Sequence, residues 1–128
     1  MFGIFTKTNL TNSERAALML SIIHGCLMGI SKHNTWLSAE HRAEGIEVWL
    51  KRNNRKASRA FRVKLSAAAD ELTRIIVATE GREGAAVLAK LLAEAQVTKP
   101  GTVPHIDLFL QTWMGECERT LVKKGLAS

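Results

Sequence analysis

The spacing of apolar residues along this chain predicts an all-α protein. Apolar side chains recur every three or four residues over most of the sequence, which is the period of a helix with one buried face. Pro100 and Pro104 are the only prolines and lie close together, so long stretches contain no strong helix breaker. We predict a single domain over residues 1–128, built as a compact bundle of about five helices, with residues 1–12 as a loosely ordered N-terminal segment.

The first predicted helix, from about Ser13 to Ser31, is expected to be the most buried. Thr11 and Glu14 are spaced as in a capping box at its start. Its apolar positions cover nearly half of the helical wheel: Met19, Ile22, Ile23, Cys26, Leu27 and Ile30. The apolar run is shorter than the roughly 20 residues of a typical membrane span and contains polar side chains. A buried core helix is therefore the favoured interpretation over a membrane segment.

Small residues recur every four positions in the same helix, at Ser21, Gly25 and Gly29. This spacing places them in one narrow stripe, where another backbone can approach closely. Tight packing inside the domain is the favoured explanation of the stripe. A homodimer contact through this face is the alternative.

Two further helices are predicted in the middle of the chain. Ser38 is a favourable N-cap for the second helix, from about Ala39 to Arg52. Its core face is expected to hold Ala43, Ile46, Trp49 and Leu50. The third helix is predicted from about Arg55 to Thr79, after a break at Asn53-Asn54, although one uninterrupted long helix is an alternative. Its core face is expected to hold Phe61, Leu65, Ala68, Leu72, Ile75 and Ile76.

The last two helices follow a glycine-bounded turn and a proline-containing loop. Gly81 and Gly84 are predicted to bracket the turn before a fourth helix, from about Glu83 to Gln96. Pro104 suits the first position of a fifth helix, which is expected to stop at Gly125. The core face of the fifth helix is expected to hold Ile106, Leu110, Trp113, Cys117 and Leu121.

The net positive charge of the chain comes from one short segment. The chain has 18 basic and 12 acidic residues, giving a formal net charge of +6. Residues 51–64, KRNNRKASRAFRVK, hold seven basic residues and no acidic one. The remaining 11 basic and 12 acidic residues outside this segment have a net charge of −1. We call residues 51–64 the basic segment.

A helical wheel predicts that the basic segment presents its charges outward. Arg55, Lys56, Arg59 and Arg62 fall within an arc of about 120°, opposite the apolar side of the predicted third helix. The predicted binding residues are Lys51, Arg52, Arg55, Lys56, Arg59, Arg62 and Lys64. Lys51 lies four residues after Glu47 on the predicted second helix, and this carboxylate is expected to neutralise part of the charge of Lys51.

Three uses of this surface compete. Contact with a nucleic-acid backbone is favoured, because several Lys and Arg side chains on one face can displace condensed counterions. Duplex binding is preferred over single strands, since the chain has no Tyr and Phe61 is expected to face the core. The alternative is an adaptor or inhibitor that docks on an acidic protein through the same face. The third interpretation is a solvated helix face or a weak contact with an anionic membrane surface.

Residues capable of catalysis do not form a recognisable constellation in the sequence. The four histidines, His24, His33, His41 and His105, lack metal-ligand spacing, and no glycine-rich phosphate loop is present. Cys26 and Cys117 lie inside apolar helical patterns, as buried free thiols usually do. We therefore predict a cytoplasmic, non-enzymatic protein without catalytic residues, cofactor or metal site. The opening MFGIFTKTNL lacks the features of a secretory signal.

Overall fold

Residues 10–97 and 108–127 are described by a computed structural model, in which they form four α-helices. The helices are α1 (Asn12–His33), α2 (Ala39–Arg52), α3 (Arg59–Val97) and α4 (Leu108–Lys123). The predicted all-α bundle is confirmed, with four helices where about five were predicted. Two predictions concern positions outside the described residues. They are the absence of a secretory signal in the first ten residues, of which only Leu10 is described, and the helix start at Pro104.

The difference in helix number arises at Gly81. The third and fourth predicted helices follow each other directly as the two arms of α3, which is interrupted at Gly81, the one residue of α3 with non-helical backbone, φ 73° and ψ 178°. This backbone conformation is almost exclusive to glycine. Gly81 therefore kinks the chain between two helical arms, and the predicted turn from Gly81 to Gly84 is reduced to a single residue.

A six-residue connection separates α2 from α3, so the predicted break at Asn53-Asn54 is confirmed. Asn54 takes the left-handed conformation at φ 54°. The Arg55 N–H donates to Leu50 O over 2.8 Å, and the Asn54 N–H donates to Lys51 O over 3.2 Å. This pair of bonds is the Schellman pattern that ends a helix. One uninterrupted helix from Ala39 onward is therefore excluded.

The start of α3 differs from its predicted position at Arg55. Ser58 Oγ accepts a hydrogen bond from the Phe61 N–H over 3.1 Å, which is the contact of an N-cap side chain. Helical backbone begins one residue later, at Arg59. Arg55 and Lys56 consequently lie in the connection and not on the helix, which corrects the predicted Arg55–Thr79 boundary.

Helix α1 occupies the centre of the bundle and packs against α2, α3 and α4. Its predicted capping box is present, because Glu14 N–H donates to Thr11 Oγ1 and Thr11 N–H donates to a Glu14 carboxylate oxygen. The predicted core positions of α1 are all buried, and Leu18 is buried with them. By length and apolar composition α1 is the one helix of the described chain that suits a membrane span, a test that a core helix also passes.

Two positions that were predicted to face the core are exposed to solvent instead. Ala43 of α2 is exposed, and Ile75 of α3 is 46% exposed. Each lies at the edge of an apolar arc, where the helical wheel cannot tell which neighbouring element will cover it. The other described core predictions for these helices are buried or packed against the core, including Ile46, Leu50 and Phe61.

Two members of the stripe of small residues on α1, Gly25 and Gly29, face the connection that follows this helix. A Cβ atom on Gly29 would lie 2.9 Å from the Thr35 carbonyl oxygen, and one on Gly25 would lie 3.7 Å from Leu37 Cδ2. Gly29 therefore permits a close approach of the backbone between α1 and α2. The packing of this chain against itself accounts for both glycines, which supports the favoured explanation of the stripe at these positions; Ser21 is half-buried.

Helix α4 ends where the sequence indicated, with Gly125 at φ 71°. The Leu126 N–H donates to Leu121 O over 2.7 Å, and Leu126 is buried against the core. Trp113, Cys117 and Leu121 are buried as predicted. The side chains of Ile106 and Leu110 lie outside the described residues.

Candidate anion-binding surface

The basic segment is distributed over three pieces of backbone. Lys51 and Arg52 form the last turn of α2, Arg55 and Lys56 lie in the connection, and α3 begins at Arg59. The remaining basic residues, Arg62 and Lys64, follow on α3. The predicted single helical stripe is therefore wrong, because the Asn54 turn and the Ser58 cap interrupt it. All seven charges still lie in the last turn of α2, in the connection, or in the first two turns of α3.

Arg55 is held by a carboxylate from another helix. Its Nε donates to Glu14 Oε2 over 2.7 Å, and both side chains are about one-quarter exposed. The hydrogen bond from the Thr11 N–H, and next to it the Arg55 guanidinium, lower the pKa of Glu14. Arg55 thus fastens the connection to the first turn of α1, and its charge is compensated within the chain.

Arg62 is also compensated. It donates to Glu47 Oε2 over 2.5 Å, which joins α3 to α2. The sequence suggested that Glu47 would instead offset Lys51, its neighbour one helical turn away. The tertiary contact with Arg62 takes its place in the structure.

Five basic residues of the segment make no ion pair with any described residue. All five are exposed to solvent, and they are Lys51, Arg52, Lys56, Arg59 and Lys64. Together they provide five uncompensated positive charges within fourteen residues of sequence. The turn at Asn54 and the cap at Ser58 fix the backbone that carries them.

Aromatic rings do not accompany these charges. Phe61 is half-buried and packs against the core, and its ring lies 5.9 Å from the Arg15 guanidinium carbon. Trp36 is 40% exposed but belongs to the connection between α1 and α2, where the Arg74 guanidinium carbon lies 4.2 Å from its ring. Base stacking has no platform within the basic segment.

A groove between α2 and α3 adjoins the basic segment. Its volume is about 660 Å³. Arg59, Arg62 and Val63 line it from α3, and Ala43 and Glu47 line it from α2. We call this feature the α2–α3 groove. The sequence pattern did not predict it, since Ala43 was assigned to the core.

A polar network that the sequence did not indicate joins α2 to α3 beside this groove. Arg42 Nε donates to Ser66 Oγ over 2.9 Å, and its Nη1 donates to Leu37 O over 2.8 Å. Nη1 also lies 3.4 Å from Asp70 Oδ1, while Asp70 Oδ2 accepts from Arg74 Nε over 3.0 Å. These contacts fix the angle between the helices that form the groove walls.

The two cysteines and His24 belong neither to the basic segment nor to the lining of the α2–α3 groove. Cys26 and Cys117 are buried free thiols, and burial raises the pKa of each, that of Cys117 to about 12. Burial also lowers the pKa of His24, whose Nε2 has no hydrogen-bond partner among the described residues. His41 Nδ1 lies 2.9 Å from Ser38 Oγ at the start of α2. Within residues 10–97 and 108–127 no three His, Cys, Asp or Glu side chains are grouped as for a metal ion.

Comparison with known proteins gives no relative. No protein-family model, curated protein or solved structure matches the chain.

Proposed function

We propose that this chain is a small, non-enzymatic, cytoplasmic binding protein that captures a nucleic-acid backbone through the basic segment. The observation that supports this proposal is the set of five exposed cations without an ion-pair partner among the described residues. Phosphates are the anions that such a set suits best, because each cation can replace a condensed counterion on the nucleic acid. Lys51, Arg52 and Arg59 lie at two helix ends, Lys56 lies in the connection between them, and Lys64 lies in the second turn of α3.

The seven basic residues that the sequence predicts as binding residues have different roles in this proposal. Arg52, Lys56 and Arg59 would contact phosphates directly, with Lys51 and Lys64 at the edges. Arg55 and Arg62 would act mainly by holding the surface in place, since each already pairs with a carboxylate of this chain. Arginine at positions 52 and 59 favours two-point contact with phosphate oxygens.

A duplex is the favoured form of nucleic acid. Single-strand binding usually depends on aromatic side chains on which bases stack, and the one aromatic residue of the basic segment, Phe61, packs against the core. Contact with the backbone of a duplex needs only cations in a fixed arrangement. Binding is therefore expected to depend little on sequence.

The test is fluorescence anisotropy with the full chain and three labelled probes of random sequence. The probes are duplex DNA, the corresponding single strand and duplex RNA, each at low and at physiological salt. The variant K51E/R52E/K56E reverses three exposed charges and touches neither ion pair. Loss of duplex binding in this variant is the expected result.

A matched control variant distinguishes the effect of charge at the basic segment from the effect of the net charge of the whole chain. K32E/R82E/K90E changes the net charge equally at three exposed positions elsewhere in the described chain. Duplex binding should survive in this control. The proposal fails if the native chain binds no probe at low salt, or if both triple variants weaken binding equally.

An acidic protein partner is the second candidate function. The observation that favours it is the α2–α3 groove, which places apolar side chains directly beside Arg59 and Arg62. Protein interfaces combine a buried apolar centre with charged residues at the rim, whereas a phosphate backbone has no use for an apolar centre.

A further inference from the structure

The walls of the α2–α3 groove follow the helical repeat on both sides. On α2 the lining positions Ala39, Ala43 and Ile46 lie on one face, and on α3 Arg59, Val63 and Ala67 do the same. Each row spans about two helical turns, or about 11 Å along the helix. Two such rows with mostly small side chains leave a channel into which side chains of another helix can insert.

Side chains that suit a protein core are left uncovered in this channel. Val63 is 60% exposed, and Ala39, Ala43 and Ala67 are exposed. Ile46 is fully buried and forms the floor. The apolar arc of α2 therefore continues beyond the part that the bundle covers. An apolar surface left open between two helices is the usual site for an amphipathic partner helix.

The charges around the groove favour an acidic occupant at one end. Arg62 and Glu47 compensate each other, and Arg42 pairs with Asp70. Arg59, at the start of α3, lines the groove without an ion pair in the described chain, and Lys56 precedes it in the connection. The end of the groove near Arg59 is thus positive, whereas Glu44 is an exposed acid on the α2 wall.

We propose that the α2–α3 groove binds a short amphipathic helix of a partner protein. Its apolar stripe lies over Ala43 and Val63, and its acidic residues lie beside Arg59 and Lys56. This inference rests on the second candidate function, and it shares only Arg59 and Lys56 with the proposed nucleic-acid surface. A second copy of this chain is a poorer occupant, because two copies would bring two basic segments together.

The experiment is selection from a displayed library of helical peptides with randomised surface positions, using the full native chain as bait. Enriched peptides are expected to combine an apolar stripe with Glu or Asp toward one end. Synthetic copies of the enriched peptides are then titrated against variants that fill or charge the groove. A43W fills the channel, and V63E places a negative charge in it.

Matched variants control for general effects of these substitutions. A86W and V87E make the same changes at exposed positions in the second arm of α3, away from the groove. We expect A43W and V63E each to weaken peptide binding by about tenfold or more, and the two controls to leave it within about twofold. Circular dichroism and thermal melting are used as controls that each variant is folded. Duplex binding is expected to be unchanged in A43W.

Each other outcome overturns the proposal in a different way. If the enriched peptides bind A43W as well as the native chain but bind K51E/R52E/K56E weakly, the partner is acidic but does not occupy the groove. If the selection enriches no peptide, or enriches basic peptides, an acidic helix is excluded as the occupant of the groove. A dimer of the native chain that A43W dissociates would identify a second copy as the occupant. A43W changes no residue assigned to phosphate contact, so peptide binding and duplex binding can fail separately in this variant.

Discussion

The Arg55 guanidinium donates from Nε to Glu14 Oε2 over 2.7 Å and joins two parts of the chain that are 41 residues apart. The same Glu14 carboxylate accepts the Thr11 N–H in the capping box of α1. One carboxylate therefore closes the start of the central helix and also holds the turn that carries the basic segment. Lys56, an exposed cation of the basic segment, is the next residue along the chain.

We expect R55A to lower the melting temperature and K56A to leave it nearly unchanged, because Arg55 pairs with Glu14 and Lys56 has no ion pair among the described residues. The folded chain lowers the pKa of Glu14 from its ordinary value of 4.5. The contribution of the ionised carboxylate is therefore present above pH 4.5 and is lost as pH falls through the lowered pKa. Thermal melts of both variants at neutral pH and at acidic pH test this. A deficit in R55A that stays constant as Glu14 is protonated would contradict the assignment.

The salt dependence of duplex binding measures how many cations of the chain contact phosphates. If all five uncompensated cations contact phosphates, log K plotted against log salt concentration has a slope of about −4.5, at 0.9 per contact. The neutral variant K51A/R52A/K56A should reduce the magnitude of this slope by about 2.7. Anisotropy titrations across a salt series provide the measurement. An unchanged slope would mean that these three residues do not contact the nucleic acid.

Substitution of Gly29 should be harmful and substitution of Gly115 should not. A Cβ at Gly29 would lie 2.9 Å from the Thr35 backbone oxygen, which cannot move away without shifting the connection. We expect G29A to destabilise the chain by about 1–3 kcal/mol. At Gly115 a Cβ would make ordinary contacts with the Arg119 side chain, so G115A should stabilise α4 by up to about 1 kcal/mol. Urea unfolding distinguishes the two, and equal effects would argue against close packing at Gly29.

Replacement of Gly81 tests backbone conformation separately from packing. A Cβ at this position meets no atom within 4 Å, so crowding cannot destabilise G81A. The backbone conformation itself, φ 73° and ψ 178°, costs a non-glycine residue about 1–3 kcal/mol. We expect a loss of stability of this size in urea unfolding. A gain in stability would indicate that α3 straightens and that the kink does not position its two arms.

Acidification should weaken the fold through His24. Burial lowers the pKa of His24 from its ordinary value of 6.5, so the unfolded chain takes up the proton first. Stability from the neutral imidazole is present above pH 6.5 and decreases as pH falls toward the lowered pKa. The variant H24L cannot titrate and should lose less stability between neutral pH and about pH 5. Urea midpoints at both pH values test this, and identical losses in both chains would contradict it.

The fold was largely predictable because its determinants are local. Thr11 and Glu14 signal the start of α1, and Gly125 signals the end of α4. Ser58 also carries a local capping signal, which a helical wheel extended through Arg55 overlooked. At Gly81 the sequence indicates a break but not its size, since one glycine can kink a helix without a loop.

The candidate surface was less predictable because its details are tertiary. The location of the charge was visible in the sequence, but the pairing of Arg55 with Glu14 and of Arg62 with Glu47 depends on how the helices pack. Ala43 had a core-like position for the same reason. Periodicity identifies an apolar face but does not show whether the chain itself covers it.

The burial of Cys26 and Cys117 makes thiol chemistry a measure of how often this bundle opens. A thiol with a raised pKa and almost no exposed surface reacts only after its surroundings separate. Cys26 lies in the central helix and Cys117 in α4, so the two would report on different opening events. A cysteine introduced at an exposed position such as Lys56 would meanwhile react quickly. The native chain thus permits selective labelling of its proposed binding surface without removal of either natural cysteine.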